Sequence, residues 1–220
     1  KEKGDMAGTI NPKATLNNST AKVSTTYGFE MGDDYAFYDR NVDDSIEPRY
    51  YQHIISQAKK IVIWDPYFME QYDGQLFESV TKEGVEIQIL TVCREGTKDQ
   101  PPQGQDEVKQ LRDNIKNALR KAKITTFSGS VTAFKYEKRR IYTGMRKRIY
   151  PCHDRFLIVD DTTAYLVGAS MNNQLSSEWT FGIMKIDKAK SHDAYKLITD
   201  KFLATMKLFA PNINGWRARL

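Results

Sequence analysis

The alternation of apolar and polar residues predicts a chain built from strands and helices in turn. Two short apolar runs rich in β-branched residues, KIVIWDPYF and VEIQILTVC, predict strands, and the segment from Gln75 to Lys82 between them predicts a helix. Pro66 lacks an N–H group and disfavours helix at Asp65, so the first strand should end there. A strand, a helix and a strand in this order indicate a parallel pair in an α/β sheet.

Similar patterns predict the rest of the fold. Three helices are predicted: one from Pro48 to Lys59, one that carries Val108 and Ile115 and ends near Lys123, and a long one that begins at Ser191. ITTFSG and TAFKYE predict two strands. FLIVD and AYLVG predict a hairpin, and WTFGIMKID predicts a further strand. Residues 1–20 have the composition of a flexible linker or arm, so residues 21–220 are predicted to be one folded domain. The elements together predict an α/β fold with a mixed, largely parallel sheet flanked by helices.

Composition places the chain among globular domains with a modest positive charge. Of 220 residues, 40% are hydrophobic and 28% charged, and the net charge is +5. No apolar run approaches the roughly 18 residues that a membrane span needs, and the first residues lack the hydrophobic core of a secretory signal. Two cysteines do not make a disulfide framework. We therefore expect a cytoplasmic domain without membrane contact, and the missing initial Met suggests a piece of a longer protein.

The stretch C-H-D-R-F-L-I-V-D, from Cys152 to Asp160, carries the most informative chemistry, and G-A-S-M-N follows it from Gly168. Alternate side chains of a strand share a face, so His153 and Arg155 should point the same way. Arginine offers a planar fork of donors suited to phosphate oxygens, and histidine can act as nucleophile or proton carrier near neutral pH. A buried, hydrogen-bonded structural histidine is the alternative interpretation.

This pattern resembles the phospholipase D superfamily, whose motif is H-x-K-x-x-x-x-D followed by G-S-x-N. The resemblance implies a phosphodiesterase that works through a covalent phosphohistidine, without a metal or another cofactor. By position it implies six catalytic residues: His153 as nucleophile, Arg155 as phosphate ligand, Asp160 as motif acid, Ser170 and Asn172 lining the site, and Glu178 orienting the histidine.

Departures from the motif leave other functions open. Arg155 replaces the usual Lys, and Ala169 stands at the usual Ser position, so a module that binds nucleic acid without turnover is one alternative. A lipid-directed hydrolase or transferase of the same superfamily is another. Asp65, with Glu86 and Gln88 on the next strand, faintly resembles the acidic site of metal-dependent restriction nucleases.

The histidine count predicts a homodimer. The superfamily usually builds its site from two motifs, so that one histidine attacks and the other protonates the leaving group. This chain has three histidines and no internal repeat, and neither His53 nor His192 is followed by the motif. A complete site would therefore need a second chain, with the two His153 residues meeting across a two-fold axis.

A basic segment directly before the motif predicts binding to nucleic acid, and DNA is expected as the partner ahead of RNA. Residues 134–150, FKYEKRRIYTGMRKRIY, contain one acid and interleaved tyrosines, which suit a phosphate backbone and unpaired bases. The predicted nucleic-acid ligands are Lys135, Lys138, Arg139, Arg140, Arg146, Lys147 and Arg148. A solvated hairpin balanced by nearby acids and a patch for anionic lipid are the alternatives. These features together predict a nuclease. Such an enzyme would suit the effector domain of a restriction or phage-defence system.

Overall fold

The computed structural model describes the chain in eleven stretches. They are residues 29–31, 35–39, 49–69, 75–93, 104–134, 137–140, 146–149, 154–168, 170–171, 180–208 and 215–220. The predicted linker at residues 1–20 lies outside them. Among the helices in these stretches, none combines the length and apolar character needed to cross a membrane.

Strands dominate the described part of the chain. The strands are β1 (Phe29–Met31), β2 (Tyr35–Asp39), β3 (Lys60–Trp64), β4 (Val85–Val92), β5 (Phe127–Phe134), β6 (Glu137–Arg140), β7 (Arg146–Ile149), β8 (Arg155–Val159), β9 (Thr163–Val167), β10 (Thr180–Asp187) and β11 (Gly215–Arg219). The helices are α1 (Arg49–Ile55), α2 (Gly104–Lys121) and α3 (His192–Leu208), with a 3₁₀-helix at Gln75–Ser79. The three predicted α-helices at these positions are confirmed, whereas the segment predicted as a helix from Gln75 to Lys82 forms the shorter 3₁₀-helix.

Nine of these strands form one mixed sheet, which confirms the predicted α/β class. Their order is β1-β2-β10-β9-β8-β3-β4-β5-β11, and β6 pairs with β7 separately. The predicted parallel pair of β3 and β4 is present, and β5 continues it in parallel. The other described pairings of this sheet are antiparallel. The sheet is therefore mixed but not largely parallel, because hairpins and returning strands extend the parallel centre on both sides.

β5 differs from the two strands predicted from ITTFSG and TAFKYE, because it is continuous from Phe127 to Phe134. Gly129 lies inside it with φ of 128°, and a Cβ there would lie 1.8 Å from the carbonyl oxygen of Ile87. The glycine therefore permits close approach to β4 and does not mark a turn. β11, which pairs with β5, was not predicted from the sequence.

Side chains of the central strands alternate between two packed layers. Ile61 and Ile63 of β3 lie in the layer that contains α1 and α2. Trp64 lies in the other layer with Phe156 of β8 and Phe202 of α3, and its ring centre is 6.0 Å from each of theirs. Ile158 lies in the same layer, which confirms that alternate β8 residues pack behind the predicted site.

The carboxyl ends of β3, β4 and β5 meet at one edge of the sheet, here called the carboxyl edge, at Asp65, Cys93 and Phe134. β8 runs antiparallel to β3 with Trp64 opposite Phe156, so its first residue, Arg155, also lies there. The chain between Phe134 and Arg155 carries β6 and β7. It therefore leaves the sheet and returns to it at the carboxyl edge.

Candidate active site

The Arg155 guanidinium is held at the carboxyl edge by three neighbours. Its Nη1 donates a hydrogen bond to the carbonyl oxygen of Gly168 at 3.1 Å. Its Nε lies 3.8 Å from Oδ1 of Asp65, and its side chain is 17% exposed. The guanidinium carbon lies 5.0 Å from the ring centre of Tyr67. A positive charge is thus fixed in place at the edge of the sheet.

Ser170 is joined to the same carboxylate. Its hydroxyl donates a hydrogen bond to Oδ2 of Asp65 at 2.6 Å, and the N–H of Met171 donates to that oxygen at 2.7 Å. The N–H of Tyr67 donates to Oδ1 at 2.9 Å. The structure therefore brings together two predicted site residues, Arg155 and Ser170, through a third residue that lies 105 positions from the serine.

Asp65 is completely buried, and its surroundings act on its pKa in opposite directions. Burial is the largest effect and raises the pKa above the usual value for aspartate. The hydrogen bonds from Ser170, Tyr67 and Met171 and the charge of Arg155 lower it, and the net direction is upward. Since backbone N–H groups and guanidinium can only donate, the geometry around Asp65 suits an acceptor at both oxygens.

Asp160, the predicted motif acid, lies at the other end of β8. Its Oδ1 accepts hydrogen bonds from the N–H groups of Lys59 and Lys60 at 2.7 Å and 2.8 Å, where β3 begins. Five residues of extended strand separate it from Arg155, or about 16 Å at 3.3 Å per residue. The structure therefore does not bring Asp160 together with Arg155 and Ser170, and its contacts are those of a structural residue.

The other predicted catalytic residues, His153, Asn172 and Glu178, lie outside the described residues. His153 is two positions before Arg155, so their Cα atoms are at most about 7 Å apart. Lys135 also lies outside the described residues. The remaining six predicted nucleic-acid ligands belong to β6 and β7.

The structure does not bring Asp65 together with Glu86 and Gln88, the residues considered as the site of a metal-dependent nuclease. Asp65 follows β3 at the carboxyl edge, whereas Glu86 pairs with Lys60 at the opposite end of that strand. Gln88 donates a hydrogen bond to Glu86, away from Asp65. Within the described stretches, no group of three or more His, Cys, Asp or Glu side chains is placed to hold a metal ion.

Comparison with known proteins finds likenesses in fold. The sequence matches no family model and no curated protein. NucT from Helicobacter pylori is 13% identical with a TM-score of 0.45, over 79% of this chain and 97% of that one. The phospholipase D family member Nuc from Salmonella typhimurium is 14% identical with a TM-score of 0.44, over 79% and 91%. The archaeal chromatin protein TrmBL2 is 11% identical with a TM-score of 0.41, over 86% and 58%.

These likenesses concern the fold alone, at low identity. The chemistry of the site is therefore inferred from the residues of this chain and not from the similar structures.

Sequence reasoning considered Asp65 only as a metal ligand and missed its contacts with Arg155 and Ser170. The available signal was a charged residue at the end of an apolar, buried strand, directly before Pro66. A buried charge needs partners, but the sequence does not reveal which distant residues provide them.

The contacts of Asp160 lead to a prediction that separates a structural role from a catalytic one. Asp160→Asn keeps a side-chain oxygen for the two N–H groups and tolerates the observed φ of 53°. This variant should therefore retain activity and most of its stability. Asp160→Ala should lower the free energy of unfolding by about 0.5–1.5 kcal/mol, because the N–H groups of Lys59 and Lys60 lose their side-chain acceptor at an exposed position. Chemical denaturation and cleavage assays check both, and a folded but inactive Asp160→Asn would show a catalytic role.

Proposed function

We propose that this protein is a metal-independent phosphodiesterase that cleaves DNA or RNA through a phosphohistidine intermediate. The observation that carries the proposal is the fixed guanidinium of Arg155, which lies two residues after His153 and shares the Asp65 carboxylate with Ser170. A held cation two residues along the chain from a histidine suits attack on a phosphodiester.

The proposed reaction has two steps. The imidazole of His153 attacks phosphorus in line, an N–P bond forms, and the P–O bond to the leaving oxygen breaks as that oxygen takes up a proton. Water then attacks the phosphohistidine and releases the phosphate product and free histidine. Arg155 and Asn172 stabilise the charge that develops on the phosphoryl oxygens, and Glu178 orients the imidazole.

The position of the basic hairpin supports a polyanionic substrate. β6 and β7 pair between the points where the chain leaves and re-enters the carboxyl edge. Three successive register positions pair basic residues with each other, and the single acid, Glu137, is paired with Ile149. The opposed basic residues are Lys138 and Arg148, Arg139 and Lys147, and Arg140 and Arg146. Like charges in opposed positions are unfavourable unless an anion compensates them, which a phosphate backbone does.

The active form is proposed to be a homodimer with a shared site. One motif per chain provides the nucleophile, and His153 of a second chain protonates the leaving oxygen. The segment from Gly168 to Gln174 follows the motif strands and is proposed to contribute to the interface. Met171 is buried within its own chain, so its side chain is not available for this contact.

A role as the cytoplasmic effector of a restriction or phage-defence system is proposed by analogy. It is supported by the linker-like composition of residues 1–20, which suits attachment to a recognition module. The fold by itself does not specify this role, because one fold serves many functions.

The proposed chemistry predicts that cleavage of plasmid and oligonucleotides persists in EDTA and is lost in His153→Ala. His53→Ala and His192→Ala should remain active, since both side chains are exposed on helices. Wild type should also yield an acid-labile, base-stable phosphoryl adduct. Cleavage that needs magnesium and survives in His153→Ala would overturn the mechanism, and binding without any turnover would indicate a silent module.

The hairpin predicts how binding responds to salt. Changing Arg139, Arg140, Arg146 and Arg148 to Gln should weaken binding to all sequences and reduce the salt slope by up to about 0.9 per lost phosphate contact on duplex DNA. The matched control removes four exposed lysines at the opposite edge of the sheet: Lys59, Lys82, Lys188 and Lys190. Fluorescence titrations at several salt concentrations measure both, and equal slopes for the two variants would place the polyanion elsewhere.

The shared site predicts a distinctive result when chains are mixed. Heterodimers of wild type and His153→Ala should have strongly reduced activity, because each site lacks either its nucleophile or its proton donor. Mixing wild type with His192→Ala provides the control. Sedimentation gives the oligomeric state, and activity that falls in simple proportion to the wild-type fraction would argue against a shared site.

A further inference from the structure

Asp65 is the one buried charged residue among those that the structure describes. A buried carboxylate lowers stability unless donors compensate for its lost hydration. The proposed reaction gives Asp65 no chemical step. Its burial at the carboxyl edge, beside the proposed phosphate ligand, therefore requires another explanation.

The donors around Asp65 come from three separate segments. Tyr67 belongs to the turn after β3, Arg155 begins β8, and Ser170 and Met171 follow β9. Oδ2 accepts two hydrogen bonds, and Oδ1 accepts one and lies 3.8 Å from the Arg155 Nε. The carboxylate thus ties three segments together at one point.

A second contact closes the arrangement. Arg155 donates to the carbonyl oxygen of Gly168, which lies two residues before Ser170. The guanidinium is therefore connected to the same turn that Asp65 holds. Moving Asp65 would displace both the cation and the turn.

We infer that Asp65 is the positioning residue of the proposed phosphate site and sets the location of the Arg155 guanidinium relative to the Ser170 turn. The inference rests on the phosphodiesterase function proposed above. The guanidinium donates one hydrogen bond, to Gly168, while its Nε is buried without a hydrogen bond and meets Asp65 as an ion pair at 3.8 Å. The remaining donors are held at a fixed place, where they can meet phosphoryl oxygens.

Fixing the cation in advance affects the transition state more than the ground state. Charge develops on the phosphoryl oxygens during attack, and donors already in place need no reorganisation. In the proposed function, the affinity for nucleic acid comes mainly from the basic hairpin formed by β6 and β7. Loss of Asp65 should therefore lower kcat and leave KM almost unchanged, whereas loss of hairpin charge should raise KM.

Asp65→Asn is a sensitive test because asparagine has nearly the same shape but an acceptor at only one of the two oxygen positions. We expect kcat to fall by roughly 100-fold, as for a misplaced catalytic group, with KM within about threefold of wild type. Asp187→Asn is the control, since Asp187 accepts two backbone N–H bonds in an exposed turn at the opposite edge. Its kcat should equal that of wild type.

A double-mutant cycle separates positioning from a general effect on the fold. If Asp65 acts through Arg155, Asp65→Asn in an Arg155→Ala background should cause no further loss of kcat. Losses that multiply in the double variant, or a single Asp65→Asn variant with wild-type kcat, would overturn the inference. Should Asp65→Asn not fold, Ser170→Ala removes one donor from Oδ2, and its smaller loss should likewise vanish in the Arg155→Ala background.

Phosphate binding distinguishes failure of this inference from failure of the proposed function. If wild type cleaves no nucleic acid, the proposed function fails, and inorganic phosphate becomes the probe of the site. Asp65→Asn and Arg155→Ala should then each weaken phosphate binding by about tenfold relative to wild type, measured by calorimetry. Equal affinity in all three proteins would overturn the positioning role.

Discussion

The buried carboxylate of Asp65 is the interaction on which the candidate site depends. It removes a charge from water, and this cost is offset in part by three hydrogen bonds to its two oxygens and by the nearby charge of Arg155. Those donors belong to segments that follow β3, begin β8 and follow β9. A single residue thus holds together the part of the carboxyl edge where the proposed phosphate ligand, Arg155, is located.

The antiparallel pairing of β8 with β3 gives the motif its geometry. Because β8 runs against β3, its first residue meets the end of β3 and its last residue meets the beginning. Arg155 therefore contacts Asp65, while Asp160 binds the backbone of Lys59 and Lys60 about one strand length away. The two ends of this short motif therefore have different roles. Arg155 places a positive charge at the carboxyl edge, and Asp160 holds β8 against the start of β3 by hydrogen bonds.

Local patterns were sufficient for the elements whose signal lies in adjacent residues. The β8 and β9 hairpin, the parallel pair of β3 and β4, and helix α2 were predicted, because each has a clear apolar period bounded by turn residues. The predominance of antiparallel strands and the unbroken β5 were not. Strand pairing depends on distant partners, and the pattern around Gly129 predicts two separate strands, whereas the glycine lies inside one strand that approaches Ile87 closely.

The sequence by itself determined the motif, the likeness to a phosphodiesterase superfamily and the basic segment that precedes His153. These features consist of residue types at short spacing, which a chain displays before it folds. Only the tertiary structure decided that Asp65 accompanies Arg155 and Ser170 and that Asp160 does not. The physical reason is distance along the chain: the serine hydroxyl and the carboxylate that accepts its hydrogen bond are 105 residues apart, and only sheet pairing brings them together.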